Sequence, residues 1–233
     1  RTIIKWPNPY LNIVATNVDP TAVETKNLAL DLIDSMRAEL GVGLASTQVG
    51  IDMSVCVICA HAYPGSKLAK DPVLSDAIVL VNPVVEEDKS AGVFSWKEAC
   101  LSVEDVSAEV TRYKKITLTY SDLMGKQHTL SLENDIAGVV QHETDHLIGK
   151  VFIDRLASKE RRKVLSKILS KKREVTARLK KQIKKEKKEL ALERAQKDAE
   201  SRPGFRKFSS SSITAKSKRK KVKKIFGKNK RRK

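Results

Sequence analysis

The sequence has no long hydrophobic run and few cysteines. Its longest apolar stretches, such as residues 55–60, are far shorter than the roughly 20 residues that span a bilayer. Three cysteines in 233 residues cannot all pair and are too few for a disulfide scaffold. Residues 1–6 lack the apolar stretch of a secretory signal. We therefore expect no membrane partner and a reducing compartment, the cytoplasm, with a mitochondrion or plastid as the alternative.

Negative charge is scarce in the last third of the chain. Residues 1–156 carry a net charge of −7 and residues 157–233 one of +25, which together give +18. Residues 158–199 contain no proline or glycine and are rich in Lys, Glu, Arg and Leu, which predicts a long helix. The like-charged segment that follows is predicted to be disordered. The sequence thus predicts a globular domain at 1–157, a long basic helix at 158–200 and a disordered basic tail at 201–233.

The basic extension predicts a polyanionic partner. Dense blocks of lysine and arginine gain affinity for polyphosphates by releasing condensed counterions, so we expect binding to ribosomal RNA or another ribosomal surface. Base-specific recognition is not expected, because the tail offers only Phe205, Phe208 and Phe226 as stacking groups. The alternative is a helix and tail that are merely solvated.

The first 156 residues mix helical and strand-like patterns. Apolar residues at helical spacing follow Asp19-Pro20 and predict a helix to about Leu40. Short alternating runs then predict strands, which are 53–60, 77–83, 103–110, 116–120 and 127–132. A second helix is predicted from Asn134-Asp135. The expected fold is α+β, with an N-terminal helix, small antiparallel sheets around a central second helix, and the long basic C-terminal helix.

The sharpest local pattern is Gln141-His142-Glu143-Thr144-Asp145-His146. Histidines at positions i and i+4 of a helix lie on one face and can bind the same metal ion, with the glutamate beside them as a general base. The chain has only four histidines, so this spacing is hard to attribute to chance. The alternative is a core helix whose histidines are hydrogen-bonded.

A hydrolytic metal site needs a third protein ligand and an open position. Metallopeptidases with this helix pattern often place a histidine six residues after the second one, but that position is Phe152. Glu160 and Glu174 lie in the basic helix, where convergence on the metal is hard to arrange. Cysteine remains the candidate ligand type.

The three cysteines differ in their surroundings. Cys56 and Cys59 lie in a predicted strand, where an offset of three sends their side chains to opposite faces; we interpret them as buried structural thiols. Cys100 has small and polar neighbours in Glu98-Ala99-Cys100-Leu101-Ser102. A thiolate there could be held toward the second helix.

Three segments together resemble the motifs of the peptide deformylases, which remove the formyl group from the N-terminal methionine of newly made proteins. They are Gly41-Val42-Gly43-Leu44-Ala45-Ser46-Thr47-Gln48, Glu98-Ala99-Cys100-Leu101-Ser102 and Gln141-His142-Glu143-Thr144-Asp145-His146-Leu147. The resemblance covers about residues 1–165. It is specific because three motifs agree in order and separation.

The resemblance implies a set of site residues. The implied metal ligands are Cys100, His142 and His146, the general base is Glu143, and the oxyanion pocket is formed by the Gln48 side-chain amide and the Leu101 backbone N–H. Substrate-binding positions are Gly41, Val42, Gly43 and Trp96, the last of which is equally consistent with an ordinary core aromatic. The implied metal is Fe²⁺, with Zn²⁺ or Ni²⁺ as substitutes, and the implied substrate is the N-formylmethionyl nascent peptide. We expect a monomer.

The sequence departs from the family pattern at a few positions. Ala99 stands where the family usually has glycine, and Ser46 stands where it usually has a second alanine. Residues 103–110 lack the arginine that many bacterial members use to position the peptide backbone. Two other functions remain open at this point: a metallopeptidase that cleaves internal peptide bonds, and an RNA- or ribosome-binding protein with a structural metal site.

Overall fold

A computed structural model describes residues 1–62, 68 and 77–200. The predicted disordered tail, 201–233, lies outside the described residues. The helices are α1 (Val23–Ala38), α2 (Asn134–Leu147) and α3 (Ser158–Glu200). The strands are β1 (Gly43–Ala45), β2 (Val55–Cys59), β3 (Ala77–Glu87), β4 (Val93–Cys100), β5 (Val103–Tyr113), β6 (Lys115–Ser121) and β7 (Gln127–Glu133). The predicted α+β class is confirmed.

The described strands form two antiparallel sheets. A five-stranded sheet has the order β1-β2-β3-β6-β7, and β4 and β5 form a separate two-stranded sheet. Side chains of β6 alternate between buried and partly buried positions, as expected for a strand with one face on the core. The register of β3 with β6 shifts between Val81 and Val84, where Pro83 has no N–H to donate to the ladder.

Helix α2 lies at the centre of the fold. Ala137, Val140 and Leu147 are buried in one apolar cluster with residues from β2, β3, β6 and β7. Gly138 lies against β4, because a Cβ built there would come within 2.8 Å of the Trp96 ring. The helix that carries the predicted metal ligands therefore contacts both sheets.

The other face of the five-stranded sheet packs against α1. Leu28, Leu32 and Met36 of this helix are buried with residues of β2 and β3 in a second cluster. Cys56 belongs to the first cluster and Cys59 packs against the second, so the two thiols lie on opposite faces of β2 as predicted. Helix α1 begins at Val23, later than its predicted start, because the Asp19 carboxylate accepts hydrogen bonds from Thr21 and forms a turn there.

Helix α3 begins inside the globular part of the chain. Val164 and Ile168 are buried in a third cluster that also contains Cys100 and Val103. One compact unit covers Arg1–Glu174, and the second comprises Val175–Lys233. The domain boundary predicted at residue 157 stays a prediction. Among the described helices, none is both long enough and apolar enough to cross a membrane.

Candidate metal centre and active site

Two elements bring three potential metal ligands together. Cys100 ends β4, while His142 and His146 lie one helical turn apart on α2. Their ligand atoms all lie within 4.8 Å of one another, and all three residues are buried. Cys100 Sγ lies 3.3 Å from His146 Nε2. The predicted Cys-His-His triad is thus assembled as the sequence indicated.

The thiol of Cys100 is in an environment that favours its ionised form. Burial alone would raise its pKa, but the charge of His146 and the hydrogen bonds from both imidazoles lower the pKa of Cys100 well below its usual value. A thiolate is the form in which cysteine binds a metal. A thiolate and two imidazoles are a donor set that suits Zn²⁺, Fe²⁺ or Ni²⁺, so the residues present fit a divalent transition metal.

The orientation of His142 is set by a carboxylate that the sequence reading left without a role. His142 Nδ1 donates to Glu98 Oε2 at 2.7 Å, which leaves Nε2 as the free ring nitrogen. Carboxylates that hold metal-binding imidazoles in this way fix the tautomer and strengthen the ligand. Burial would raise the pKa of Glu98, but hydrogen bonds from His142 and Arg112 and their charges lower it to about 2.

A buried arginine connects Glu98 to the metal-binding helix. Arg112 of β5 donates to Glu98 through Nε at 2.7 Å and through Nη2 at 3.0 Å. Its Nη1 donates to Asp145 Oδ2 of α2 at 2.5 Å. Arg155 also pairs with Asp145. Sequence reasoning missed these ion pairs, although one signal was present: Val110 and Arg112 are two residues apart in a strand and therefore share a face.

Glu143 is a buried carboxylate beside the triad. It is 3% exposed, and its Oε2 has no hydrogen-bond partner among the described residues. Burial is the main cause that raises the pKa of Glu143, to about 7. Gly43 leaves room for it, since a Cβ there would come within 2.6 Å of Glu143 Cδ. A buried carboxylate with a free oxygen and a pKa near neutrality can both accept and return a proton.

The predicted oxyanion donors lie beside Cys100. Gln48 is buried; its Nε2 lies 3.5 Å from Cys100 Sγ and donates to Ser102 Oγ at 3.1 Å. Its Oε1 accepts from the Ala45 N–H at 2.8 Å, which fixes which end of the amide points to the site. Leu101 follows the cysteine directly in the turn between β4 and β5.

The predicted substrate-binding residues fall into two groups. Gly41 lies near the turn after Cys100, because a Cβ there would come within 2.7 Å of Leu101 Cδ1. Val42 is half exposed and leads into Gly43 at the start of β1. Trp96 contacts Gly138 and donates through Nε1 to Glu98 at 2.9 Å. The contacts shown for Trp96 thus join it to α2 and the carboxylate that orients His142, and its substrate role stays a prediction.

Comparison of the sequence with known proteins identifies its family. A family model described as polypeptide deformylase matches residues 1–162. The chain is 38% identical over 167 residues to a peptide deformylase of Aquifex aeolicus, in an alignment that covers 72% of this chain and 94% of that relative. The chain belongs to the polypeptide deformylase family.

Solved structures of deformylases share the fold. The crystal structure of the Legionella pneumophila peptide deformylase matches with a TM-score of 0.64 at 30% identity and covers 76% of this chain and 97% of that one. The Plasmodium falciparum peptide deformylase matches with a TM-score of 0.64 at 26% identity over 76% and 98% of the two chains. The family, the fold and the Cys-His-His metal site confirm the predicted enzyme, a deformylase that removes the N-formyl group from nascent peptides.

Proposed function

We propose that Glu143 is the general base and acid of the deformylation reaction. The observation that carries this assignment is its buried, unpartnered Oε2 beside the Cys100–His142–His146 triad. When bound, a divalent metal supplies Lewis acidity and lowers the pKa of water. Glu143 accepts the proton of the attacking water and delivers it to the peptide amine as the bond between the formyl carbon and nitrogen breaks. Formate and a free N-terminus are the products.

The tetrahedral transition state places negative charge on the former carbonyl oxygen. The Gln48 Nε2 and the Leu101 N–H are the proposed donors to that oxygen, because both lie beside Cys100. The hydrogen bond from Ala45 to Gln48 Oε1 prevents the amide from turning its acceptor end to the site. Removing one such donor typically costs about 10²–10³ in kcat.

Substrate binding is assigned to the glycine loop, with Gly41, Val42 and Gly43, and to Trp96 in β4. Gly43 allows backbone to approach Glu143 more closely than any side chain would permit. The substrate is the N-formylmethionyl end of a nascent polypeptide. No arginine stands at 103–110, so backbone atoms and the glycine loop carry more of the peptide binding.

The assay of formate release tests this function. Protein purified without oxygen should release formate from a formyl-Met tripeptide, and Glu143→Gln should bind metal normally yet lose at least about 10² of kcat. Full activity of Glu143→Gln would overturn its assigned role. Cys100→Ala should lose both metal and activity.

We further propose Fe²⁺ as the metal in the cell, with Zn²⁺ or Ni²⁺ able to replace it. The Cys-His-His donor set accepts all three. Metal analysis of anaerobically purified protein tests the assignment; stoichiometric zinc with full activity, and no iron, would contradict it.

The proposed partner of the basic extension is the ribosome. Lysine and arginine dominate residues 157–233, which carry a net charge of +25, and RNA is a dense polyphosphate. Co-sedimentation with ribosomes at rising salt should show binding by the full chain that weakens steeply with ionic strength. If a chain that ends at Glu174 binds ribosomes as well as the full chain does, and if rising salt does not weaken the binding of either, this role is excluded.

We propose that the protein is cytoplasmic, with a mitochondrion or plastid as the alternative location. We also propose that it is a monomer. All three cysteines are free thiols, and Cys100 must stay reduced to bind metal. Localisation of a tagged chain and its mass by light scattering test the two statements.

A further inference from the structure

The turn between β4 and β5 carries two functional atoms. Cys100 supplies its sulfur to the metal site, and the next residue, Leu101, supplies the N–H proposed as an oxyanion donor. The strand pairing changes register between Ala99 and Cys100, so that Cys100 pairs with Val103. Leu101 and Ser102 therefore lie in a tight turn outside the regular ladder, and other groups must hold their peptide units in place.

Side chains from distant parts of the chain hold the backbone of this turn. Lys5 Nζ donates to the Leu101 carbonyl at 2.9 Å and pairs with Glu104 at 3.0 Å. Lys171 Nζ of α3 donates to the Asp105 carbonyl at 2.7 Å. Both ammonium groups thus bind backbone oxygens within the five residues that follow Cys100.

A third lysine contacts Trp6, in the N-terminal segment that lies against the turn. The Trp6 N–H donates to the Ser102 carbonyl at 2.8 Å. The Trp6 carbonyl in turn accepts from Lys172 Nζ at 3.3 Å, and the same ammonium lies 5.8 Å from the Trp6 ring centroid. Lys172 is therefore connected to Ser102 through one residue.

Buried side chains at the start of α3 hold the part of the helix that carries Lys171 and Lys172 in place. Val164 and Ile168 are buried in the same cluster as Cys100 and Val103. Lys171 and Lys172 follow within one turn of Ile168, so their stems start from a packed part of the helix. Asp105 has φ of +60°, a left-handed conformation that is uncommon outside glycine and that aspartate tolerates better than most residues.

We infer that Lys171 and Lys172, together with Lys5, are positioning residues that hold the Leu101 turn for catalysis. This inference rests on the proposed role of Leu101 as an oxyanion donor. The start of the basic helix then has a part in the reaction that is separate from polyanion binding. An oxyanion donor acts mainly on the transition state, so loss of the lysine contacts lowers kcat and leaves KM nearly unchanged.

The double variant Lys171→Met/Lys172→Met tests the inference in the full-length chain. Methionine keeps an unbranched apolar stem and removes the donor. We expect kcat for a formyl-Met tripeptide, measured per metal-loaded molecule, to fall about three- to tenfold. This loss is smaller than the ~10²-fold effect of a 1 Å misplacement, because the pairing of β4 with β5 still keeps the turn closed. Lys5→Met should act in the same direction.

Two further variants separate positioning from a general loss of charge. Lys171→Arg/Lys172→Arg retains the donors and should restore kcat to within twofold of the wild type. Lys89→Met/Lys126→Met removes the same charge from exposed positions elsewhere in the compact unit, a short 3₁₀ helix and the loop before β7, and should leave kcat unchanged. An equal fall in this control, or no rescue by arginine, would overturn the inference.

The Glu143→Gln variant distinguishes failure of the inference from failure of the proposed function. An inactive Glu143→Gln enzyme combined with unchanged kcat in Lys171→Met/Lys172→Met would refute the positioning role alone. A fully active Glu143→Gln enzyme would refute the proposed function, whatever the lysine variants show.

Discussion

Glu98 connects the metal ligand His142 to Arg112 of β5 through hydrogen bonds. Its Oε2 accepts from His142 Nδ1 while both oxygens accept from Arg112. In Glu98→Gln the charge that strengthens the imidazole is lost, although the side chain can still accept one hydrogen bond. We expect metal affinity to fall about 10- to 100-fold, measured by competition with a chromogenic chelator. Unchanged affinity would show that the His142 orientation is set by α2 alone.

Arg112 is a buried cation between two carboxylates. It is 3% exposed and bonds both Glu98 and Asp145. Arg112→Leu leaves both carboxylates without their shared partner, so the free energy of unfolding should fall by about 3 kcal/mol or more, as measured by urea denaturation. Arg155→Leu is the control: Arg155 is only partly buried, and we expect a clearly smaller loss there. Equal losses would contradict the central role of Arg112.

The lowered pKa of Glu98 makes this network sensitive to acid. The pKa falls from 4.5 to about 2 on folding, so the folded state favours the ionised carboxylate. The stabilisation, on the order of 3 kcal/mol, is therefore complete above pH 4.5 and is lost as the pH falls toward 2. In acid titrations of the metal-free protein, the difference in unfolding free energy between wild type and Glu98→Gln should shrink across this window. A constant difference would contradict the assignment.

At the scale of elements, the contact between α2 and β4 sets the distance between the histidines and Cys100. A Cβ at Gly138 would come within 2.8 Å of the Trp96 ring and 3.2 Å of Phe94. In Gly138→Ala we expect the helix and the strand to separate, with a loss of about 1–3 kcal/mol from overpacking. Metal affinity should fall with it, because the ligands come from both elements.

A matched substitution checks that the effect is local. In Gly92→Ala no atom lies within 4 Å of the added Cβ, but the residue has φ of +77°. A fall in the free energy of unfolding of this variant therefore comes from backbone strain and not from a steric clash. Loss of stability without loss of metal affinity is expected for Gly92→Ala. The same pattern in Gly138→Ala would refute the proposed coupling of packing and metal binding.

Sequence patterns predicted the elements whose residue spacing follows from the geometry of a regular helix or strand alone. Helix spacing placed His142, His146 and Glu143 together, because the period of an α-helix does not depend on the rest of the fold. Strand β4 was missed because its inward side carries Glu98 and Cys100 in place of alternating apolar residues. Strand β1 was missed because three residues of a glycine loop show no period.

The ion pairs around the site could not be predicted in the same way. Arg112 and Asp145 are 33 residues apart, and their contact depends on how β5 packs against α2. A charged residue in a strand is usually solvent-exposed. A pattern of residue types alone therefore did not distinguish a buried arginine from a solvated one.

At the scale of the whole molecule, the compact unit that contains the metal ligands includes the first part of the basic helix. The compact unit ends at Glu174, and the buried residues Val164 and Ile168 lie beyond the predicted boundary at residue 157. A chain that ends at residue 174 keeps these contacts and the two lysines at 171 and 172. We expect it to retain the kcat and KM of the full chain on a formyl-Met tripeptide and to unfold at the same temperature.

A chain that ends at residue 157 should behave differently. Each of the two buried side chains contributes about 1.5–3 kcal/mol, and their loss exposes the cluster that contains Cys100. We therefore expect a lower unfolding temperature, weaker metal retention and a reduced kcat, measured by calorimetry, metal analysis and formate release on both truncated chains. Equal stability and activity of the two would show that the catalytic domain ends before α3, and that the basic helix serves binding alone.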